Sequence, residues 1–521
     1  MTGAALLSVY DRTGIVALGR ALAERGVPLF ATGGTRAHLH ENGIEADDVG
    51  ELTGYPSLFD GRVKTLHPSI FGGILQDRDD ERHRAEAQAH GIPTIATVVV
   101  NLYPFERTVA QDGATLQEAI EQIDIGGVSL LRAAAKNFDH VSVLSDPAQY
   151  DAFIAALGRG GLDPAARRIF ATRAFERTAE YDSAIARYLE SGLVAHELPG
   201  SLALTIPIEQ SLRYGENPQD RAAFYLGRTA QLPEQLGGKA LSYNNLLDLD
   251  ATLRLLVRAP LGYPAGQAPF ERPRLARAAI VKHTVPCGVA ERANLAEAAR
   301  EALRSDPVSA YGGIIAVDGT IDLAAAEELA PFFLEIVAAP AFDADALARL
   351  RRKKSLRLMC FRPGAPERIA AELRVRSALG GVLAEDDDPQ APPERWTVVS
   401  KRTPSAGEWR DLVFAWDVVR HVKSNGVVLV RESVTRGICA GQTNRVSAVQ
   451  IAAHRAGALA AGAACASDGF FPFADGLAAA ADAGCTAVIA PQGSIRDAEV
   501  VAAADERDVA LVFSTYRYFL H

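Results

Sequence analysis

The sequence predicts an α/β protein with more than one domain, on three observations. Its 521 residues exceed the roughly 100–200 residues of a single domain. Apolar residues make up 48% of the chain and charged residues 23%, as in ordinary globular proteins and unlike disordered chains. In residues 1–145, short apolar runs alternate with segments of helical periodicity, which is typical of a parallel sheet covered by helices.

The first strand is expected over residues 4–9, an apolar run at the N-terminus. A helix should follow, because Ile15, Leu18 and Leu22 recur at helical spacing. Gly26 then marks the end of that segment.

A second strand is predicted over residues 27–31, followed by a turn over 32–35 (TGGT). The next helix should span 36–42 and stop at Gly43. Ligands of parallel α/β layers bind at the carboxyl ends of strands, so these are the places to search for a site. Further strands are predicted over 95–100 and 141–144.

The rest of the chain is predicted to form a helical connector, residues 146–199, and a longer α/β region, residues 200–521. The connector is rich in helix-forming residues and shows no strand pattern. An acidic, proline-rich stretch over 385–395 divides the second region into lobes of about 200–390 and 391–521. Lobes of similar size could be distant structural repeats.

Charge and cysteine content argue against several classes of protein. A net charge of −10 argues against a general nucleic-acid binder. The five cysteines include no CxxC pair, so neither a disulfide framework nor a zinc site is expected. No charged n-region and no apolar run of about 18–20 residues is present, so we expect a soluble cytoplasmic protein.

Two short motifs near the N-terminus could bind a phosphate, SVYDRTG (8–14) and TGGT (32–35). Each ends a strand in small polar residues, where a turn and a helix start expose backbone N–H groups. The alternative is that the glycines only make a tight turn. The chain has no GxGxxG and no GxxxxGK[ST], so dinucleotide and P-loop sites lose their main support.

The segment GRVKTLHP (61–68) concentrates cations and polar side chains in one stretch. If it is extended, Arg62, Lys64 and Leu66 face one side while Val63 and Thr65 face the other. Two adjacent cations repel each other unless an anion joins them. The alternative is a solvated basic edge.

Three further motifs of the first domain carry groups suited to proton transfer and to stabilising an oxyanion. NLYPF places Asn101 and Tyr103 at the carboxyl end of the strongest apolar run. EQIDIGG holds Asp124 between two isoleucines, where a carboxylate needs partners or a raised pKa. RAAAKN places Arg132 and Lys136 on one helical face. Asp124 could instead be a helix cap, and Lys136 could lie on a solvated face.

The most reactive segment of the second region is VKHTVPCG (281–288). The ammonium of Lys282 would favour the neutral imidazole of His283, which could then act as a base. Both side chains can line one pocket only if Pro286 and Gly288 bend the chain; the alternative is a core histidine beside a surface lysine. A catalytic zinc is rejected, because the Pro-Cys pair lacks a second cysteine and the chain has no His-x-Glu.

Polar and aromatic clusters also occur at intervals between residues 211 and 521 and place several binding groups in loops. Asn425 can both donate and accept a hydrogen bond, which suits the orientation of an amine or an amide. Spacing alone does not show that these groups converge. The others are Arg213, Tyr214, Arg445 and Arg517.

These motifs, in this order, resemble the bifunctional purine biosynthesis family that joins an AICAR transformylase to an IMP cyclohydrolase, over essentially the whole chain. The resemblance implies a methylglyoxal-synthase-like domain, the helical connector, and a transformylase region of two cytidine-deaminase-like lobes. It rests on a dozen motifs, among them GRVKTLHP, EQIDIGG, LRYGENPQ, KHTVPCG, DPVSAYGG, FFPFADG and PQGSIRD.

For the transformylase half, the resemblance implies formyl transfer from 10-formyltetrahydrofolate to the amine of AICAR. His283 would be the base, Lys282 would stabilise charge, and Asn425 would orient the reacting groups. Glu335 would accept from the carboxamide and Asp475 would contact the folate. Matching nucleotide-site positions are Arg213, Tyr214, Gly312, Arg445, Phe470 and Arg517.

For the cyclohydrolase half, the resemblance implies closure of formyl-AICAR to IMP with loss of water. Lys64 and Tyr103 would stabilise the oxyanion, Asp124 would take a proton, and Lys136 would assist water loss. The substrate and its phosphate would be bound by Tyr10, Asp11, Arg12, Thr32, Gly33, Gly34, Thr35, Arg62, Thr65, Asn101 and Gly126.

Neither reaction needs a metal or a tightly bound cofactor, the folate is a co-substrate, and the resemblance implies a homodimer without nucleic-acid or membrane partners. The sequence departs from the family pattern at Tyr311, Val285, Cys439, Thr443 and Asn444, yet every candidate catalytic side chain is present. Two rival hypotheses are a protein with only one active half and a non-catalytic nucleotide-binding protein.

Overall fold

The computed structural model describes residues 3–55, 58–59, 63–111, 113–191, 198, 200–227, 230–258, 263–264, 275–386 and 394–521. The chain divides into an N-terminal unit, Met1–Pro207 with Gly227–Ala230, and a C-terminal unit, Ile208–Leu226 with Gln231–His521. No helix within the described ranges is long and apolar enough to cross a membrane.

The N-terminal unit is built on one parallel sheet. Its strands are β1 (Ala4–Val9), β2 (Leu29–Ala31), β3 (Asp47–Asp48), β4 (Ile95–Asn101) and β5 (Ser142–Leu144). They lie in the order β3-β2-β1-β4-β5, and every neighbouring pair is parallel. β4 is buried along its whole length, which explains its unbroken apolar run.

Helices cover both faces of this sheet. They are α1 (Ile15–Ala23), α2 (Gly33–Glu41), α3 (Val49–Thr53), α4 (Pro68–Leu75), α5 (Glu81–Ala89), α6 (Phe105–Val109), α7 (Leu116–Glu121), α8 (Gly126–Lys136), α9 (Tyr150–Leu157) and α10 (Pro164–Ser191). One apolar cluster joins α1 and α9 to one face, and another joins α4, α8 and α10 to the other. Alternate residues of β1 supply the two clusters, as the two-residue period of a strand requires.

Most of the elements predicted for this unit are present, with two differences. The second strand is shorter than residues 27–31, and the predicted turn over 32–35 is wrong, because α2 already begins at Gly33. The Thr32 carbonyl accepts the Arg36 N–H at 2.9 Å, so the first helical turn follows the strand directly. Gly43 has a φ of 74° and ends α2 as predicted.

The helical segment after β5 packs on the N-terminal sheet rather than standing apart from it. Ala171, Ala174 and Tyr181 of α10 are buried in the same cluster as α8. An amphipathic helix is stable only when its apolar face is covered, and here the sheet and α8 cover it. The helices expected as a connector are therefore part of the N-terminal unit.

The described residues of the C-terminal unit form a mixed sheet of 13 strands and two small hairpins. The strands are β6 (Ile208–Leu212), β7 (Ala222–Tyr225), β8 (Glu234–Gly237), β9 (Tyr263–Pro264), β10 (Ala276–Lys282), β11 (Val285–Arg292), β12 (Ile314–Val317), β13 (Ile336–Ala339), β14 (Arg357–Cys360), β15 (Arg374–Ala378), β16 (Gly381–Glu385), β17 (Arg395–Val398), β18 (Val427–Arg431), β19 (Val434–Cys439), β20 (Ala464–Ser467), β21 (Ala487–Pro491) and β22 (Ala510–Ser514).

Its helices lie between the strands. They are α11 (Tyr243–Arg254), α12 (Leu295–Ser305), α13 (Pro307–Ala310), α14 (Leu323–Leu329), α15 (Ala344–Leu350), α16 (Ala365–Ala370), α17 (Ala406–Val419), α18 (Arg445–Ala456), α19 (Ala474–Asp482) and α20 (Asp497–Glu506). The large sheet has the order β8-β14-β13-β12-β10-β11-β19-β18-β20-β21-β22-β17-β9.

The two halves of this sheet repeat one another. The order β14-β13-β12-β10-β11 in the first half corresponds to β22-β21-β20-β18-β19 in the second. In each half a helix, α11 or α17, precedes a hairpin, β10–β11 or β18–β19. The expected structural repeats are therefore visible in the strand order.

The lobes expected on either side of residue 390 share one sheet and one of its apolar clusters. β11 and β19 pair as antiparallel neighbours at Ala290 and Val434. One apolar cluster contains residues of both α11 and α17 together with strands of both halves. The pairing of β11 with β19 makes the sheet continuous, so the two halves form one unit.

Candidate active sites

The first candidate site lies at the carboxyl ends of β1, β2 and β4. Asn101, at the end of β4, accepts the Tyr10 and Asp11 N–H groups at 2.7 and 2.8 Å and donates to the Asp11 carbonyl at 2.8 Å. Thr35 exchanges hydrogen bonds with the backbone of Val9 at 3.0 and 3.1 Å. These contacts fix the loop after β1 against the start of α2.

The start of α2 and Arg12 together form a cationic cradle. A Cβ on Gly34 would lie 3.2 Å from Arg12 Nη2, so the absence of a side chain lets the guanidinium approach the helix start. Thr32 has extended backbone before this helix and donates its hydroxyl to Ser8 at 3.1 Å. The free N–H groups of the first turn, Gly33 among them, can bind an anion together with this cation.

The second part of the site surrounds Asp124, immediately before α8. Its carboxylate accepts the Gly127 N–H at 2.7 Å, and its own N–H donates to the Tyr181 hydroxyl at 2.9 Å. Burial raises the pKa of Asp124, while the Gly127 N–H, the charge of Lys64 and the Tyr103 N–H oppose that shift. The carboxylate is thus both the expected cap and a group held near Lys64 and Tyr103.

Thr65 and Tyr103 line the same region. Thr65 is buried, and a Cβ on Gly126 would lie 2.7 Å from its hydroxyl, so Gly126 allows Thr65 to reach the start of α8. The ring of Tyr103 meets the exposed ring of Tyr10 edge to face at 6.0 Å. The substrate-binding and proton-transfer groups of the first site therefore adjoin each other.

The GRVKTLHP segment is not extended in the way that the alternation predicts. Val63 and Leu66 are both exposed, whereas Thr65 is 3% exposed. The chain turns here, because the His67 N–H donates to the Thr65 carbonyl at 3.0 Å and His67 caps α4. Arg62 lies outside the described residues.

Lys136 is not brought to this group. It is the last residue of α8 and is exposed, and at 1.5 Å per residue the helix places it about 15 Å from Gly126. There it lines a pocket of about 610 Å³ with Arg132, Arg168 and Phe175. Lys136 therefore lies at the C-terminal end of α8, whereas Lys64, Tyr103 and Asp124 lie at its N-terminal end.

The second candidate site is the turn that joins β10 to β11. His283 and Thr284 have φ values of 56° and 60°, as a two-residue type I′ hairpin requires. The bend lies here and not at Pro286 and Gly288, which pair with Val281 and Ile280 inside the hairpin. His283 is exposed and Lys282 is half-buried, so the alternative of a core histidine beside a surface lysine is wrong.

Asp248 of α11 holds this turn, a role that the sequence did not predict. Its two carboxylate oxygens accept the His283 and Thr284 N–H groups at 3.1 and 2.6 Å. Asp411 of α17 accepts the Glu432 and Ser433 N–H groups at 2.8 and 2.7 Å in the equivalent turn of the second half. An aspartate at the sixth position of both helices is the one feature of the sequence that indicates this role. Only the structure shows which N–H groups each aspartate binds.

Lys282 and Asn425 are each fixed by a backbone carbonyl. Lys282 Nζ donates to the Tyr311 carbonyl at 2.7 Å. Asn425 donates its backbone N–H and its Nδ2 to the Gln442 carbonyl at 3.0 and 2.8 Å. The side-chain amide therefore has a defined orientation, with Oδ1 accepting no hydrogen bond from the described residues.

The expected nucleotide contacts differ in their surroundings. Arg213 is exposed, lies 4.9 Å from the Tyr214 ring centroid and donates to the Tyr214 hydroxyl at 3.2 Å. Arg517 is likewise exposed and lies 4.8 Å from the centroid of the Phe519 ring. Both guanidinium groups can reach a phosphate.

Arg445 and Glu335 are already paired. Arg445 begins α18, so its expected place in a loop is wrong, and it is buried against the buried carboxylate of Asp468. Glu335 accepts from Arg357 Nη1 at 2.6 Å. Each can contribute to a ligand site only with its partner in place.

The other expected ligand contacts lie on turns and helix starts. Gly312 has a φ of 77° and donates its N–H to the Phe333 carbonyl at 2.8 Å. Phe470 is 37% exposed, and Asp475 is exposed in the first turn of α19. These side chains are accessible to a ligand.

Among the described residues of these sites, neither a reactive thiol nor a metal centre is indicated. Burial raises the pKa of Cys287, in strand β11 of the hairpin, to about 12, so the thiol stays protonated at neutral pH. Within the described residues one cluster has metal-ligand spacing, Asp77, Asp79 and His140. Both aspartates are exposed and His140 already hydrogen-bonds Asp77 at 3.1 Å, so we assign no metal to it.

Comparison with known proteins places the chain in one family. Residues 14–129 match the MGS-like domain, and residues 134–455 match the AICARFT/IMPCHase bienzyme. A Bifunctional purine biosynthesis protein PurH of Roseobacter denitrificans is 46% identical, covering 99% of this chain and 98% of its own. Another of Bacillus cereus is 44% identical, covering 99% of each. The chain belongs to the family of bifunctional purine biosynthesis proteins.

Proposed function

We propose that the protein transfers a formyl group from 10-formyltetrahydrofolate to AICAR and then closes formyl-AICAR to IMP. The observation that carries this proposal is the match along 99% of the chain to relatives named bifunctional. The two groups of side chains described above support it, since one lies in each unit. The folate is a co-substrate, and neither step uses a metal.

Formyl transfer is assigned to the β10–β11 turn. The amine of AICAR attacks the formyl carbon, His283 accepts the proton that the amine loses, and the bond to N10 of the folate breaks as N10 gains a proton. The ammonium of Lys282 stabilises the negative oxygen of the tetrahedral intermediate. Asn425, held by the Gln442 carbonyl, orients the amine or the neighbouring carboxamide.

Binding of the nucleotide and the folate is assigned to the exposed side chains of the C-terminal unit. The guanidinium groups of Arg213 and Arg517 bind phosphate. Glu335 accepts from the carboxamide while Arg357 holds it, and Asp475 contacts the folate. Arg445 acts through its buried pair with Asp468.

Ring closure is assigned to the region around Asp124. The carboxamide nitrogen attacks the formyl carbon, and Asp124 accepts a proton from that nitrogen and passes it to the former formyl oxygen. This oxygen leaves as water with a second proton, which comes from the formamide N–H as the C=N bond of the ring forms. Lys64 and the Tyr103 hydroxyl stabilise the oxyanion, while the start of α2 and Arg12 bind the phosphate. Lys136 has no role in this scheme.

The proposal is tested by incubating the protein with AICAR and 10-formyltetrahydrofolate and separating the products by chromatography. Formation of IMP supports both reactions. Accumulation of formyl-AICAR supports the rival with an inactive N-terminal unit. If neither product forms and supplied formyl-AICAR is not closed, the non-catalytic nucleotide-binding protein is favoured.

Single substitutions test whether the two sites are separate. His283→Ala should reduce formyl transfer by at least about 100-fold, the lower range for loss of a general base, and leave ring closure of supplied formyl-AICAR unchanged. Lys64→Ala should do the converse. Loss of both reactions in either variant, with an unchanged circular dichroism spectrum, would contradict this assignment.

The homodimer implied by the family resemblance is part of the proposal. Sedimentation equilibrium of the full chain measures it directly. A mass of twice 55.5 kDa is expected, and a monomer that still makes IMP would remove the dimer from the scheme.

A further inference from the structure

Four hydrogen bonds converge on the half-buried carboxylate of Glu394, directly before β17. Its Oε1 accepts the Nε1–H groups of Trp396 and Trp416, both at 2.8 Å, and the Ser514 hydroxyl at 2.6 Å. Its Oε2 accepts the Tyr518 hydroxyl at 3.1 Å. One side chain therefore connects β17, α17 and the end of β22 to the last residues of the chain.

These four contacts require a group that only accepts. An indole N–H can only donate, and Trp396 and Trp416 are buried, so each needs an acceptor. Burial raises the pKa of Tyr518, so its hydroxyl stays protonated at neutral pH and donates. An ionised carboxylate has two acceptor oxygens and serves all four donors. A glutamine has one acceptor oxygen, so it could serve the indole groups or the Tyr518 hydroxyl but not both.

The C-terminal segment, residues 515–521, alternates between exposed and half-buried side chains. Tyr518 is half-buried at Glu394, whereas its neighbours Arg517 and Phe519 are exposed. Successive side chains of an extended chain point to opposite sides. A contact that holds Tyr518 inward therefore directs Arg517 outward.

The C-terminal segment also lies against two loops that carry expected ligand contacts. The Leu520 carbonyl accepts the Ser424 N–H at 2.8 Å, next to Asn425. A Cβ on Gly469 would lie 2.6 Å from the Phe519 ring, so the glycine lets this ring pack on the loop between β20 and α19. The segment is thus placed beside the candidate nucleotide contacts.

We propose that Glu394 is a positioning residue for the nucleotide site: by binding the Tyr518 hydroxyl, it holds the C-terminal segment with Arg517 directed at the phosphate. The inference rests on the proposed function, in which Arg517 binds the phosphate of AICAR. Glu394 acts through Tyr518, since both of its oxygens are occupied by protein groups. A guanidinium held in place before binding loses less entropy when the phosphate arrives.

Tyr518→Phe removes a single hydroxyl and tests this contact directly. Because a hydrogen bond to a charged acceptor is lost, we expect the KM for AICAR in formyl transfer to rise about tenfold. The kcat should stay at the wild-type value, since binding of the ground state and of the transition state is weakened alike. The matched control is Tyr225→Phe on β7, where the side chain is exposed, and it should change neither value.

A double-mutant cycle shows whether the hydroxyl acts through Arg517. If it does, Tyr518→Phe should have no further effect on the KM for AICAR once it is combined with Arg517→Ala. Additive effects of the two substitutions would overturn the proposal, because the hydroxyl would then act independently of Arg517. An unchanged KM in Tyr518→Phe alone would overturn it as well.

Substitution of Glu394 separates positioning from stabilisation of the core. Glu394→Gln keeps an acceptor for the indole groups and should reproduce the KM of Tyr518→Phe. Glu394→Ala leaves both indole N–H groups unpaired and should lower the unfolding free energy further, as urea titration followed by tryptophan fluorescence measures. Lower stability of Glu394→Gln with an unchanged KM would show that the residue is only structural.

Digestion with a carboxypeptidase tests the contact without any substrate. Residues 515–521 should be removed faster from Tyr518→Phe and Glu394→Gln than from the wild type or Tyr225→Phe, as mass spectrometry of the full chain shows. Equal rates would overturn the proposal whatever the activity of the protein. Faster digestion in a protein without formyl transfer would reject the proposed function alone, and the Kd for AICAR from calorimetry would then take the place of the KM.

Discussion

Asp124, the proposed base of ring closure, shows how much of a residue's surroundings can be predicted from its neighbours in the chain. Its isoleucine flanks indicate a carboxyl group that needs partners. Those partners are Gly127 three residues away, Tyr181 on α10 and Lys64 in another loop, and only folding brings the last two to it. Lys136 shows that closeness in sequence does not ensure closeness in space. Its motif, RAAAKN, follows Asp124 closely in the chain, yet Lys136 lies at the far end of α8.

The raised pKa of Asp124 predicts that its ionised form lowers the stability of the fold, although ring closure requires that form. The pKa of Asp124 is higher in the folded than in the unfolded state. The group therefore stabilises the fold at pH values below its pKa in the unfolded chain, and this contribution is lost as pH rises through its pKa in the folded protein. At neutral pH, Asp124→Asn should raise the melting temperature, since an amide keeps an acceptor for the Gly127 N–H without a buried charge. Thermal unfolding of both proteins at pH 7 measures this.

The same substitution should abolish ring closure, because an amide cannot accept the proton. In the wild type, ring closure should fall as pH drops through the raised pKa, above the range of an ordinary aspartate. Asp182→Asn, at an exposed carboxylate of α10, is the control and should change neither property. A less stable Asp124→Asn, or one that still closes the ring, would contradict the role of buried base.

Among the elements, the β10–β11 hairpin is the one that sequence patterns miss. A two-residue turn with positive φ at both positions favours Asn-Gly, yet His283 and Thr284 occupy it, so nothing local indicates a turn. Left-handed backbone is costly for such residues, and the two hydrogen bonds to Asp248 offset that cost. The turn depends on a helix that lies 35 residues earlier.

The repeat supplies a matched pair for testing the role of Asp248. Asp248→Ala and Asp411→Ala each leave two turn N–H groups unpaired and should each cost about 1–3 kcal/mol of unfolding free energy. Only Asp248→Ala should lower kcat for formyl transfer, because only its turn carries His283. Stopped-flow assays beside denaturant titrations separate the two effects. Equal losses of formyl transfer would show that Asp248 is merely structural.

At the scale of the whole molecule, the two units have separate apolar cores. The composition of the chain and the alternation of apolar runs with helical segments predict separate N-terminal and C-terminal regions, but they assign α9 and α10 to a connector. Periodicity identifies a helix without showing which surface covers its apolar face. Here Phe170 and Tyr181 of α10 pack on the N-terminal sheet.

This packing predicts which part of the chain closes the ring alone. A protein of residues 1–207 should fold cooperatively and convert formyl-AICAR to IMP, because it contains both cores and the partners of Asp124. A protein of residues 1–145 lacks α10, so the apolar cluster that α10 covers becomes exposed to solvent. It also loses the Tyr181 hydroxyl that accepts the Asp124 N–H, and it should therefore be unfolded or inactive. Activity in the shorter protein would place the boundary at the end of β5.

The pairing of β11 with β19 also bears on ancestry. A protein with only one half of the sheet would present this strand as an open edge, and two copies could join there about a twofold axis. Duplication and fusion of one gene would leave such a sheet in a single chain. One copy of the turn carries His283 and Thr284 after Lys282, while the other carries Glu432 and Ser433 after Arg431, so in the proposed scheme only the first copy has a base for formyl transfer.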